Sequence, residues 1–217
     1  MLDGMLTALF NFSSGWNTLG ILLIVVLILY FVFMIQNIRQ RRIKMIIREH
    51  KRFTVKNVTL DLLEIAVFLV ASIAMFNQIF LDNPNLEDST RITSQVAYKP
   101  LILNTGTGNS SYVTIDSSKT KFGSQTFTFY VSGKQYKVVN DVSVAFGKEP
   151  INVNAEKIPY DKKVLTKMDK QYQKAYVAIY TARYKKTWQN GIGLHAGRIA
   201  TKYYLIRVPD DSFIKQK

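Results

Sequence analysis

His195 lies in the segment GIGLHAG and is one of only two histidines in the chain. An imidazole in a glycine-rich loop suits general-base work, with Asp141, Asp169 or Asp210 as an orienting carboxylate. The spacing selects none of the three, and a lone loop histidine is most often solvated. The glycines resemble a phosphate cradle at first sight. However, Gly191, Gly193 and Gly197 read G-x-G-x-x-x-G and a strand pattern follows them. A nucleotide loop needs G-K-[ST] or G-x-G-x-x-G opening a helix, so a hairpin loop is the expectation. Thr107 and Ser110 sit in a second glycine-bearing loop without a G-x-S-x-G elbow. The chain has no cysteine, which excludes thiolate catalysis, disulfides and Cys-ligated zinc. Two histidines do not make a His-rich metal site, and no metal or cofactor is expected.

Charge is the other feature that could do chemistry. The formal net charge is +14. Between residues 38 and 53, Arg39, Arg41, Arg42, Lys44, Arg48, Lys51 and Arg52 surround an apolar stripe of Ile43, Ile46, Ile47 and His50 at helical spacing. That is a basic amphipathic helix, suited to an anionic cytoplasmic leaflet. A second basic set, Lys162, Lys163, Lys167, Lys170, Lys185, Lys186 and Arg198, is a candidate anion-binding surface; Lys202 and Arg207 fall on the same hairpin. Asp61 and Glu64 share one helix face. Acids in an apolar helix can mark ion paths. At a helix N-terminus they also suit the positive end of the dipole, and Arg52, Lys56 and the first helix's basic end are available as partners.

These groups need elements to position them. Leu19–Ile35 carries no charge and no proline, and Trp16 to Ile38 supplies about the 20 apolar residues that cross a bilayer. Trp16 marks one interface. No basic n-region and no A-x-A site flank this run, so an uncleaved span is expected. A second span is expected over 60–81, with its apolar heart at Ile65–Phe76. The short, strongly basic stretch between them stays cytoplasmic under the positive-inside rule, whereas long domains cross regardless of charge. The resulting organisation is an extracytoplasmic tail 1–18, helix 19–37, basic cytoplasmic loop 38–59, helix 60–81, linker 82–92 and extracytoplasmic strand-rich domain 93–217.

Within that last part, Ser94–Leu103 reads as a strand, with Pro100 placing it at an edge. Thr126–Val131 and Lys134–Val139 alternate around Ser132–Gly133, a hairpin signature. Pro159–Tyr172 changes to helical spacing with Asp161 as N-cap. Ala175–Thr187 and Arg198–Val208 form a further hairpin, with Tyr176, Tyr180 and Tyr184 on one face. The fold class expected is a membrane-anchored α+β protein: two N-terminal transmembrane helices, then a small antiparallel-sheet domain with one helix.

The apolar span, the segment QNIRQRRIKMIIREHKRF, the second span and an outer part containing KKTWQNGIGLHAGR resemble a family of uncharacterised two-pass membrane proteins of lactobacilli and related Gram-positive bacteria. The resemblance covers the whole chain, implies a Gram-positive cell envelope and supplies no functional residues. Three functions follow as expectations. The first is a non-enzymatic protein of the bacterial cell membrane whose basic outer domain binds anionic wall polymer, other envelope material or a protein partner. The second is a membrane-tethered envelope hydrolase using His195. The third is an accessory subunit of a transport or secretion complex, with Asp61 and Glu64 meeting a partner helix. The lipid bilayer is a partner in each. Nucleic acid is not, because no aromatics interleave the basic residues.

Overall fold

The structure, a computed structural model, describes residues 14–49, 54–105, 110–117 and 125–216. The chain divides into two compact units. One contains the N-terminal residues up to Asn85 together with Tyr184–Arg198. The other comprises Leu86–Arg183 and Ile199–Lys217. The chain passes between the units at Asn85–Leu86, and Tyr184–Arg198 groups with the helical unit.

The helical unit is built on α1 (Gly15–Glu49) and α2 (Val55–Phe76), extended by a π-helical turn Asn77–Leu81. Both helices are long and apolar enough to cross a membrane. Helix α1 runs unbroken for 35 residues, about 52 Å at 1.5 Å per residue. The basic stretch from residue 38 to Glu49 is helical, as its amphipathic spacing predicts, and continues the first helix without a break. The cause is local: no glycine or proline lies between Gly20 and Val55 to stop it. Helix α2 also begins five residues before Leu60, which puts Asp61 and Glu64 inside the helix. The two helices run antiparallel, with Phe31 against Phe68 at 5.0 Å between ring centres and with Thr54 Oγ1 and Asn57 on the Met45 sulfur. Large apolar side chains along both, among them Leu22, Leu29, Phe33, Leu62, Val70 and Ile73, are exposed.

Among the described residues, the second unit holds eight strands in two four-stranded sheets. The strands are β1 (Ile92–Pro100), β2 (Val113–Asp116), β3 (Thr126–Val131), β4 (Lys134–Val138), β5 (Val142–Ala145), β6 (Tyr176–Tyr184), β7 (Ile199–Arg207) and β8 (Ile214–Gln216). One sheet has the order β1-β6-β7-β5 and the other β4-β3-β2-β8. The β3–β4 hairpin turns at Ser132 and Gly133, both with positive φ (50° and 76°), the mirror-image turn that matches strand twist. Strand β1, which carries Pro100, is at an edge as its sequence requires. Two expectations are corrected: there are two sheets, and neither is wholly antiparallel. Strand β5 pairs parallel to β7, and β8 parallel to β2. Each parallel neighbour arrives from a distant part of the chain, so no local turn announces it.

One core joins the sheets: Val113, Phe129 and Val131 meet Val177, Tyr204 and Ile206. Strand β6 is buried on both faces. Val177 points to the other sheet, while Tyr176, Ala178, Tyr180 and Ala182 line the opposite face. Apolar runs of this kind, without polar alternation, mark a strand covered on both sides. Helix α3 (Lys162–Gln171) packs there through fully buried Leu165. Asp161 caps it, accepting hydrogen bonds from the backbone N–H of Lys163 and Val164.

Candidate functional site

Tyr184–Arg198 carries His195 and all three glycines of the GIGLHAG segment. It forms a short helix, α4 (Trp188–Ile192), and a turn in place of an open loop. Its backbone hydrogen bonds close internally: Gly191 N–H to Thr187, Leu194 N–H to Gly191, His195 N–H to Asn190 and Arg198 N–H to His195, at 2.8–2.9 Å. The glycines have a packing reason. A methyl on Gly191 would collide with the Trp16 carbonyl, one on Gly20 of α1 with the Gly191 and Ile192 carbonyls, and one on Gly193 with the Gln78 carbonyl. Backbone meets backbone at all three, the way small residues bring helices together. Asn17, fully buried, clasps Ala196 from both sides: its Nδ2 donates to the Ala196 carbonyl and its Oδ1 accepts from the Ala196 N–H, each at 3.1 Å.

His195 is part-buried in this unit and its ring stacks on buried Tyr184, 4.9 Å apart and 18° from parallel. The Tyr184 hydroxyl donates to the Asp82 carbonyl. The three carboxylates weighed as its orienters all belong to the other unit. Asp169 is engaged with Arg207 and Tyr176, and Asp210 accepts from the Ser212 N–H. That backbone bond holds the Asp210 carboxyl below its ordinary range. Among the described residues, no group of three or more His, Asp or Glu side chains gathers that could hold a metal ion.

Asp61 and Glu64 find their partner on α1. Arg41 bridges both, at 3.2 Å to Asp61 and in close contact with Glu64, and the three side chains are only 17%, 13% and 19% exposed. Asn37 donates to Glu64 at 2.7 Å. Arg41 is thus an internal clamp between the helices and not a surface base. Arg39, Arg42 and Lys44 are exposed, as are Ile43, Ile46 and Ile47. The Arg48 side chain, His50, Lys51 and Arg52 lie outside the described residues, as does Thr107.

The second basic set is divided between the units. Lys185, Lys186 and Arg198 flank α4, whereas Lys162, Lys163, Lys167 and Lys170 stand exposed on α3. Arg207, read from sequence as a hairpin surface cation, is fully buried. Its guanidinium grips Asp169 with two bonds of 3.0 and 2.7 Å and donates to the carbonyls of Glu149 and Gly147. The Tyr176 hydroxyl donates to Asp169 and to the Leu165 carbonyl. Burial first, and then the Asp169 charge, pushes the Tyr176 phenol far above its ordinary value. Burial does the same to Tyr160, whose hydroxyl donates to the Ala178 carbonyl. The clamp has a consequence for α3. Asp169 is the only acid in KKVLTKMDKQ, and Arg207 turns it inward, so the charged groups that the helix itself exposes are all lysines.

The arrangement is that of a protein with an apolar helical hairpin and a separate two-sheet unit that presents a cationic helix. Residues 15–215 match a protein-family model whose description, ":-like", names no activity, and the chain belongs to that family. The match takes in both helices and both sheets. No curated protein and no solved structure matches the chain. Arg207, Asn17 and Gly20 were missed as key residues from sequence. The one available signal was a polar and a small residue, Asn17 and Gly20, spaced a helical turn apart at the mouth of an apolar run.

Proposed function

We propose that the protein is a two-pass, non-enzymatic protein of a Gram-positive cell envelope whose two-sheet unit stands on the outer side and binds anionic envelope material. The observation that carries this reading is the lysine face of α3. Lys162, Lys163, Lys167 and Lys170 are exposed while the helix's one carboxylate is drawn inward by Arg207. Four exposed cations on a capped helix, against one exposed carboxylate at its Asp161 cap, raise the local concentration of anions. Membrane insertion is supported by the length of α1 and α2 and by the apolar side chains they leave exposed. Orientation is supported by exposed Arg39, Arg42 and Lys44 at the end of α1, which favour the cytoplasmic side.

The test uses the full chain in nanodiscs of zwitterionic lipid, with a soluble poly(glycerol phosphate) as the probe. Binding should weaken steeply between low and high salt, because exposed charges are screened within a Debye length. Replacing the four α3 lysines by Gln should weaken it roughly tenfold at low salt. Binding that ignores salt, or that survives the fourfold substitution unchanged, removes this function.

A further inference from the structure

We infer that the α4 tip, Trp188–Gly193, is a lipid-binding element that lies in the outer interface of the bilayer, with the Trp188 indole in contact with lipid. This rests on the membrane reading above and adds to it a contact made by the C-terminal half of the chain. Three observations within the helical unit carry it. The first is depth. Along α1 the tip packs on Trp16 and Gly20, where the apolar run begins, and Asn17 holds Ala196 just beyond it. On the other side it packs on Gln78, and a groove of about 330 Å³ beside Trp188 is walled by Ala74, Met75, Gln78, Gln189 and Ile192. One contact falls at the opening turns of the first apolar segment and the other at the closing turn of the second, the level where hydrocarbon gives way to headgroups.

The second observation is composition. Trp188 is 54% exposed and Trp16 47% exposed, at the same end of the hairpin, with Phe80 exposed nearby on the π turn. Large aromatics left uncovered at that level form the aromatic belt of a membrane protein. Lys185, Lys186 and Arg198 flank the tip, placed to let their aliphatic stems follow apolar surface while their charges reach anionic headgroups. The third is backbone accounting. The N–H groups of Gly191, Leu194, His195, Gly197 and Arg198 are bonded within 184–198 and that of Ala196 by Asn17, which lowers the cost of bringing this stretch of chain near hydrocarbon.

The chain has two tryptophans, Trp16 and Trp188, which makes the test direct. Trp16→Phe and Trp188→Phe each leave one indole. Each full-length variant is reconstituted into vesicles containing phosphatidylglycerol, with and without lipids brominated near the headgroup end of the acyl chain, and challenged separately with aqueous iodide. In the Trp16→Phe protein, Trp188 should emit at blue-shifted wavelength, lose most of its intensity to the brominated lipid and be protected from iodide. If Trp188 is quenched by iodide and untouched by brominated lipid, while Trp16 in the other variant is quenched by lipid, the tip inference falls and the membrane reading stands. If neither indole responds to brominated lipid, both fall.

Discussion

Arg207→Met tests whether the buried clamp holds the lysine helix in place. The guanidinium is fully buried and its partner carboxylate nearly so, at 10% exposed. Methionine removes both bonds to Asp169 and those to the Glu149 and Gly147 carbonyls. Gly147 keeps the ammonium of Lys174, and Asp169 keeps the Tyr176 hydroxyl, so the lost term is dominated by a carboxylate left buried without its cation. Breaking a buried pair from one side costs about 3–5 kcal/mol. For a unit of this size that corresponds to a fall in Tm of roughly 10–20 °C. Adding Asp169→Leu removes the orphaned charge, and the double variant should recover much of the loss, because buried pairs replaced by apolar groups are often near neutral. The assay is near-ultraviolet circular dichroism of the full chain in detergent, where the packed tyrosines report on the two-sheet unit. Hydrogen exchange over Lys162–Gln171 should accelerate in Arg207→Met and return toward the parent rate in the double variant. A Tm within a few degrees of the parent, or a double variant as unstable as the two single losses added, would refute the clamp.

Gly191→Ala should unseat the α4 tip and speed tryptic cleavage at Lys186 and Arg198, whereas Gly15→Ala, whose methyl would meet nothing within 4 Å, should leave the digest unchanged. Arg41→Leu should destabilise the helix pair by about 3–5 kcal/mol in a detergent-unfolding titration, with Asp61→Asn and Glu64→Gln together restoring most of it, since a cation between two shielded carboxylates is being removed. Alkali should destabilise the two-sheet unit. Burial raises Tyr160 and Tyr176 above their unfolded values, so the native state holds protons the unfolded chain releases. Their contribution is complete below about pH 10 and is lost as pH climbs beyond it, which a Tm profile from pH 8 to 12 would record.

Much of the fold was legible because its causes are local. The two long apolar helices follow from uninterrupted hydrophobic runs, and the β3–β4 hairpin from alternation on either side of Ser132–Gly133. The α3 start follows from Asp161, and the edge position of β1 from Pro100. The exposed lysines of α3 also follow from helical spacing around Leu165. Legibility stopped where a signal had to be shared by distant segments. The parallel pairings β5–β7 and β2–β8 involve strands some sixty and a hundred residues apart, and alternation in one strand says nothing about which neighbour it will choose. The sheet count could not be read for the same reason.

Composition and order along the chain were sufficient to establish two oily helices, a basic connector and a strand-rich remainder. They were also sufficient to exclude thiol and disulfide chemistry, since none of this depends on what packs against what. Three-dimensional packing assigned the roles. It turned Arg207 from an apparent surface cation into a buried clamp and gave Asp61 and Glu64 their cation in Arg41. It also showed that Gly191, Gly193 and Gly20 serve close backbone contact between the α4 segment and the helices. Those outcomes depend on distance across space, where burial and Coulomb attraction act, and residues far apart in the chain carry no local trace of it.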